Sequence, residues 1–487
     1  MSERLVSAKQ VSIVIFGLAF AALAIAIHLP YLALPFHWDE MGQFVPAALD
    51  LAQDGAWVAH STTPNVHPPA VMALVALVWR VFGVSIPAAR VAMLVVASLG
   101  ALFSFMLAIR LARGTVGAPA FAAVVFLLAS PLFYTQSMMV LLDMPAMTLT
   151  VLALLLFFEE RYGWCVVACT LLVLTKETSI TTPAVLAAWL WFKEQRRREA
   201  VFFLIPAAAL GGWLAVLHRA TGHWLGNAEF ASYNVTAALQ PGHIALALVQ
   251  RAWFLFAADG HWIGAVALFV GWRVLRTSQW AVCGWVAGAQ ILIVTLLGGA
   301  ELNRYLLPVL PILYAAFATA TSSYPASWRW ISSTAMALCL LLGWIWNPPY
   351  PFPYEDNLAM VDFVELQREA AQYLEAFAPH ARIASAWPFT DAIARPEFGY
   401  IRTPLRAVRS TGLTVADFEA LDPNSFDVLV RFSPSTPVAA PLQGLLRKFY
   451  GLPEDRIPPG YFSLRRLERR GQWIEICLPV FDPDGTR

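Results

Sequence analysis

The chain has 487 residues, 59% of them hydrophobic and only 13% charged, with a formal net charge of +1 at pH 7 and a mean hydropathy of +0.60. That balance excludes a disordered chain and a soluble globular enzyme, and it reads as an integral membrane protein. Cys165, Cys169, Cys283 and Cys339 lie inside apolar runs and only Cys477 in a polar region, which excludes a disulfide framework.

Arg4 and Lys9 precede an apolar run over residues 11–34. Ala24 and Ala26 imitate a signal-cleavage site, but the run passes straight through them and is long for a signal peptide. It is therefore read as an uncleaved first span with its N-terminus in the cytoplasm. The segment 68–82 is short of the roughly 20 residues that a span needs, so it is placed in or near the interface. Further spans are then expected at 87–110, 116–133, 144–160, 163–176, 178–192, 200–217, 261–275, 279–298, 305–322 and 329–346. On this assignment Arg110 and Arg113, Arg161, Lys193 with Arg196 to Arg198, Arg273 and Arg276, and Arg329 all fall in cytoplasmic turns. Counting 68–82 as a span would turn these clusters outward, against the positive-inside rule. The run 244–257 is treated as non-spanning for the same reason.

The resulting fold class is a polytopic α-helical membrane protein of about eleven transmembrane helices with interfacial helices, followed by a small C-terminal α/β domain outside the membrane. The domains are 1–346, with a first outer loop over 35–86, and 347–487. The second opens on the Pro-rich Pro348-Pro349-Tyr350-Pro351, is richer in charge and has no run able to span. Residues 382–386 and 426–430 read as short strands and 361–378 as a helix.

Asp39, Glu40, His67, Asp143, Lys176, Glu301 and Arg304 all gather at the outer face on this topology. Ionisable side chains near lipid are costly, so each is a candidate site residue. Each also has a structural reading. Asp39 and Glu40 are suited to cap the helix that follows them, and Asp143 to cap one beginning at Met144-Pro145. Arg304 is suited to anchor a helix end, and Lys176 to pair with its neighbour Glu177. Trp224, Tyr233, Trp253 and Phe254 are aromatic residues of the kind that either sit at the membrane interface or stack on sugar or isoprenyl chains.

Several stretches resemble one known family in content and order: Trp38-Asp39-Glu40, Asn65-Val66-His67-Pro68-Pro69-Ala70, Val81-Phe82-Gly83, Ala89-Arg90, Ser130-Pro131-Leu132-Phe133, Leu142-Asp143-Met144-Pro145, Leu174-Thr175-Lys176-Glu177 and Asn303-Arg304-Tyr305-Leu306-Leu307-Pro308. They are similar to those of the GT-C glycosyltransferases that use polyprenyl-phosphate-linked sugars, a group that includes protein O-mannosyltransferases and lipid A aminoarabinose transferase. Together they cover most of residues 30–320. Where many relatives have Lys-Pro-Pro, this chain has His67-Pro68-Pro69.

The resemblance implies a membrane glycosyltransferase that moves a sugar from a polyprenyl phosphate to a hydroxyl or similar acceptor. The acceptor is a cell-envelope glycan, lipid A or protein. The reaction is placed at the outer face of the inner membrane, since the leaving group stays in the bilayer. Asp39 is implied as the general base, Glu40 and Asp143 as further catalytic residues, and Arg304, Lys176 and His67 as contacts to the donor phosphate. These motifs establish no cofactor. A divalent ion, Zn, Mn or Mg, is left open, with Asp39, His67 and Asp143 as its candidate ligands. Expected partners are the lipid-linked donor, the acceptor and membrane lipid, with no nucleic acid. A transporter or flippase of a lipid-linked glycan is the alternative. It would need polar groups through the depth of the bilayer, whereas the ionisable residues gather at one face.

Overall fold

The computed structural model describes residues 2–346, 355–435 and 453–480, with side chains from residue 13 onward. The Pro-rich stretch 348–351 lies outside the described residues. The chain divides into two compact units, one of residues 1–29, 46–83 and 88–344 and one of residues 30–45, 84–87 and 345–487.

The first unit is helical. Among the described residues, five helical segments are long and apolar enough to cross a bilayer by themselves: Ile13–Tyr31, Ile86–Leu111, Arg197–Thr221, Ser278–Leu296 and Asn303–Ser323. The longest, 26 residues, rises about 39 Å at about 1.5 Å per residue, more than the roughly 30 Å of a hydrocarbon core. Two bent pairs bring the number to seven. Pro119–Ala129 and Pro131–Ser137 meet at 65°, and Pro241–Phe256 meets Ala258–Leu275 at 45°. The first break follows from Pro131, whose ring and missing N–H disfavour continuation; Ser130 turns extended and its Oγ accepts from Phe133 N, starting a new helix. At the second, Asp259 (φ 52°) and Gly260 (φ 86°) both take left-handed backbone.

Each span expected from sequence is occupied by helix, although Asp143–Phe158, Tyr162–Thr175 and Thr181–Phe192 have fewer than the usual residues for a crossing. Ala70–Phe82 is a separate 13-residue helix, as expected of a segment too short to span. Packing between helices uses small residues, since lipid gives apolar side chains no reason to seek each other. Gly264 on His261–Gly271 faces the ring of Phe317 on Leu310–Ala320 so closely that a Cβ would collide with it, and Gly271 faces the carbonyl of Ala320.

Among its described residues the second unit holds a five-stranded sheet in the order β2-β1-β3-β5-β4, with β1 Arg382–Ser385, β2 Arg406–Arg409, β3 Val428–Ser433, β4 Tyr461–Arg469 and β5 Gln472–Pro479. β2, β1 and β3 run parallel, which requires crossovers, here carried by the short helices Phe389–Ala394 and Val415–Glu419. β5 and β4 are antiparallel. Every residue of β3 is buried, as befits a strand with neighbours on both sides. On Ala359–Phe377 the buried positions Met360, Phe363, Val364, Gln367, Ala371 and Leu374 recur at helical spacing and face β5 and β4.

The segment 30–45, which carries Asp39 and Glu40, groups with this sheet unit by its own bonds. Phe36 N donates to Phe398 O at 3.0 Å, Tyr400 Oη donates to Phe36 O at 2.9 Å, and the Trp38 and Trp387 rings meet edge-on at 4.7 Å. Sequence patterning placed residues 35–86 together as one outer loop, whereas the contacts put 30–45 and 84–87 with the sheet and 46–83 with the helices.

Candidate functional site

Three of the residues singled out by sequence come together inside the helical unit. Asp143 starts the helix Asp143–Phe158, Lys176 lies in extended backbone just beyond Tyr162–Thr175, and Arg304 lies in the 3₁₀ stretch Asn303–Val309 that packs against the Asp143 helix. Lys176 Nζ forms an ion pair with Asp143 Oδ1, and Arg304 Nε stands 3.6 Å from Asp143 Oδ2. The three side chains are 4–6% exposed. Asp143 does not cap its helix: it is the first residue within it, and its carboxylate is turned to the two cations. Lys176 pairs with Asp143 rather than with the adjacent Glu177.

Two buried cations, Lys176 and Arg304, thus converge on the carboxylate of Asp143. Buried cations held side by side in this way are chemically suited to receive an anion. Tyr305 completes the wall, its ring centroid 4.1 Å from Lys176 Nζ and 5.7 Å from the Arg304 guanidinium.

Arg251 is a residue that sequence reasoning passed over. It lies on Pro241–Phe256, is 4% exposed and donates from Nη2 to Val294 O at 2.7 Å, while its Nε and Nη1 make no hydrogen bond among the described residues. Glu301 and Tyr305 are its electrostatic neighbours, and Gln250 beside it donates to Glu301 O at 2.9 Å. The signal was present in the sequence as a lone arginine in an apolar run read as interfacial, where a charge ordinarily reaches for the headgroups. Only packing shows that this one turns inward.

His67 is half-buried at the end of the loop between Val45–Gln53 and Ala70–Phe82. Its backbone N–H donates to Asn65 Oδ1, and its Nδ1 lies 3.0 Å from Glu177 Oε2. Burial pushes the Glu177 carboxyl up, but the His67 charge and hydrogen bond, with Lys176 behind them, outweigh it and hold the group below its ordinary value. The carboxylate fixes the proton on Nδ1 and so sets which edge of the imidazole carries the other nitrogen.

Asp39 and Glu40 are placed by the second unit. Glu40 is fully buried and its Oε2 accepts from the backbone N–H of His37 at 2.9 Å. Asp39 is half-buried and makes no capping hydrogen bond to the turn Glu40–Phe44. The residue before it, Trp38, has φ 47°, a left-handed conformation costly for an aromatic side chain. Such strain collects at functional sites, where surrounding structure holds it in place. Among the aromatic candidates Trp224, Tyr233 and Trp253 are exposed and Phe254 is buried, so only Phe254 leaves the group suited to an interface.

A unit of broken and short spans together with a small mixed sheet unit defines the chain's class by its architecture: it has the GT-C fold. Two solved structures that share it are those of ArnT from Cupriavidus metallidurans, one bound to undecaprenyl phosphate and one in the apo state. At 14% identity the first covers 94% of this chain and 97% of its own with a TM-score of 0.57, and the second covers 94% and 98% with a TM-score of 0.54. No family model matches the sequence, and no curated protein matches it.

Proposed function

We propose that the chain is a polyprenyl-phosphate-dependent glycosyltransferase, transferring a sugar from the lipid carrier to a nucleophilic group of an envelope glycan, lipid A or protein. The observation that carries the proposal is the buried cluster in which the cations Lys176 and Arg304 converge on Asp143, in a fold that in ArnT receives undecaprenyl phosphate. Lys176, Arg304 and Arg251 hold the donor phosphate and stabilise it as it leaves; the Arg251 guanidinium, whose Nε and Nη1 make no hydrogen bond among the described residues, suits the paired oxygens of a phosphate. His67, fixed by Glu177, adds a donor or a positive charge at the same end of the helical unit. Asp143 holds the two cations in place while the phosphate is absent.

Asp39 is assigned the general base, by its place in the Trp38-Asp39-Glu40 motif and by the strain at Trp38. Glu40, spent on the His37 amide, shapes the turn that presents Asp39. The site works at the outer face, with the N-terminus in the cytoplasm, because that orientation puts every basic turn inside.

The test is mass spectrometry of the lipids retained by the purified protein, followed by incubation with candidate acceptors. A polyprenyl phosphosugar that disappears as the acceptor gains the sugar supports the transferase, and Asp39→Asn should abolish that transfer in a folded protein. A larger lipid-linked glycan that stays unchanged with every acceptor would overturn it in favour of a flippase.

A further inference from the structure

Ten residues past the motif that carries Asp39, a second group of titratable side chains lies wholly inside the helical unit. Asp50 is on the helix Val45–Gln53, Asp54 follows one turn later, and His60 comes from the loop beyond. One ligand atom from each lies within 4.8 Å of the other two, and among the described residues they are the one trio of His, Cys, Asp or Glu to do so. We propose that Asp50, Asp54 and His60 form a binding site for a divalent transition cation of the zinc type.

The site is built around a fixed carboxylate. Asp50 is 4% exposed, and its Oδ2 accepts from the backbone N–H groups of His60 at 2.8 Å and Ser61 at 2.9 Å. These bonds fold the loop back so that Oδ1 stands 3.8 Å from His60 Nε2, while Asp54 Oδ2 stands 2.8 Å from the same nitrogen. Around a tetrahedral ion with bonds of about 2.1 Å, neighbouring ligand atoms are about 3.4 Å apart. The two separations from the His60 nitrogen straddle that value, and the two carboxylate oxygens lie within 4.8 Å of each other. Asp54 and His60 are more than half exposed, which lets them adjust around an ion and leaves a fourth position to water.

Charge argues in the same direction. Two carboxylates four residues apart repel, and a ligating imidazole is neutral, so with an ion bound the trio supplies two negative charges facing a single point. Two oxygens and an imidazole nitrogen select zinc or its neighbours over calcium or magnesium, which take oxygen alone. The ion closes the near end of the loop that carries His67 at its far end; it positions that loop and does not enter the chemistry.

The experiment is calorimetric titration of zinc chloride into the full-length protein in detergent after chelation and buffer exchange. One zinc per chain is expected, with an affinity lowered at least tenfold by His60→Ala and by Asp54→Asn, both exposed enough to leave the fold intact. His67→Ala, which removes the other imidazole of the loop, should bind zinc as the wild type does. Absence of zinc binding by the chelated wild type, equal binding by the His60→Ala and Asp54→Asn proteins, or loss of binding in His67→Ala alone would each overturn the site and leave the trio as a histidine hydrogen-bonded between two acids.

Discussion

Asp143→Asn removes a single charge from a place where Lys176 and Arg304 both remain, so its effect measures how far the carboxylate is their counter-charge. With Arg304 Nε 3.6 Å from Asp143 Oδ2, Coulomb's law at an effective dielectric of about 20 gives about 4–5 kcal/mol of attraction. Lys176 is closer still. The desolvation cost of the two cations persists in the variant because they stay buried, so the net loss expected is about 3–5 kcal/mol. Adding Lys176→Gln removes one of the stranded cations. The double variant should therefore be more stable than the sum of the two single losses by about 1–3 kcal/mol. The assay is equilibrium unfolding of the four proteins in one mixed-micelle system, followed by helical circular dichroism, with and without polyprenyl phosphate. The lipid supplies the anion that Asp143→Asn lacks and should stabilise that variant more than the wild type. Strictly additive single effects, or an Asp143→Asn protein as stable as the wild type, would refute the reasoning.

Arg251→Ala should raise the donor concentration needed for half-maximal transfer by tenfold or more and leave the acceptor requirement unchanged; initial rates with each substrate varied in turn separate the two. Glu177 titrates below its ordinary value of 4.5, so its ionised form stabilises the fold above about pH 4.5 and that contribution disappears as pH falls through the lowered value. Melting temperatures between about pH 3 and pH 6 should fall less steeply for Glu177→Gln than for the wild type. Phe432, 1% exposed and set between the rings of Phe363 and Phe389, should cost about 3–5 kcal/mol when replaced by Ala, read as a lowered melting temperature. Gly264→Val drives a branched side chain into Phe317 and should destabilise the helical unit by at least about 1–3 kcal/mol in the same micelle assay.

Patterning along the chain was enough to locate the helices because a bilayer admits few backbone solutions. Apolar length, basic turns and proline placement leave little choice, and each expected span is helical. In the C-terminal region the strand at 382–386 and the helix at 361–378 were legible from their periodicity, and β3 was found though shifted by about two residues from 426–430. β2, β4 and β5 were not. β2 is a short edge strand with mostly exposed residues, and β4 is the other edge and dense in arginine, so neither shows the apolar alternation that marks a strand.

What the sequence determined by itself is therefore the membrane class, the order of the helices and the identity of most chemically costly residues, because each of these follows from local composition. Which of those residues meet was decided only by tertiary structure. Asp143, Lys176 and Arg304 are separated by 33 and 128 positions and converge because three helix ends meet, while Lys176 bypasses the acid next to it in sequence. Arg251 turned inward, and the Asp39 segment joined the sheet unit, through contacts with residues far along the chain. No local pattern encodes such partners. A buried charge selects them by the cost of having none.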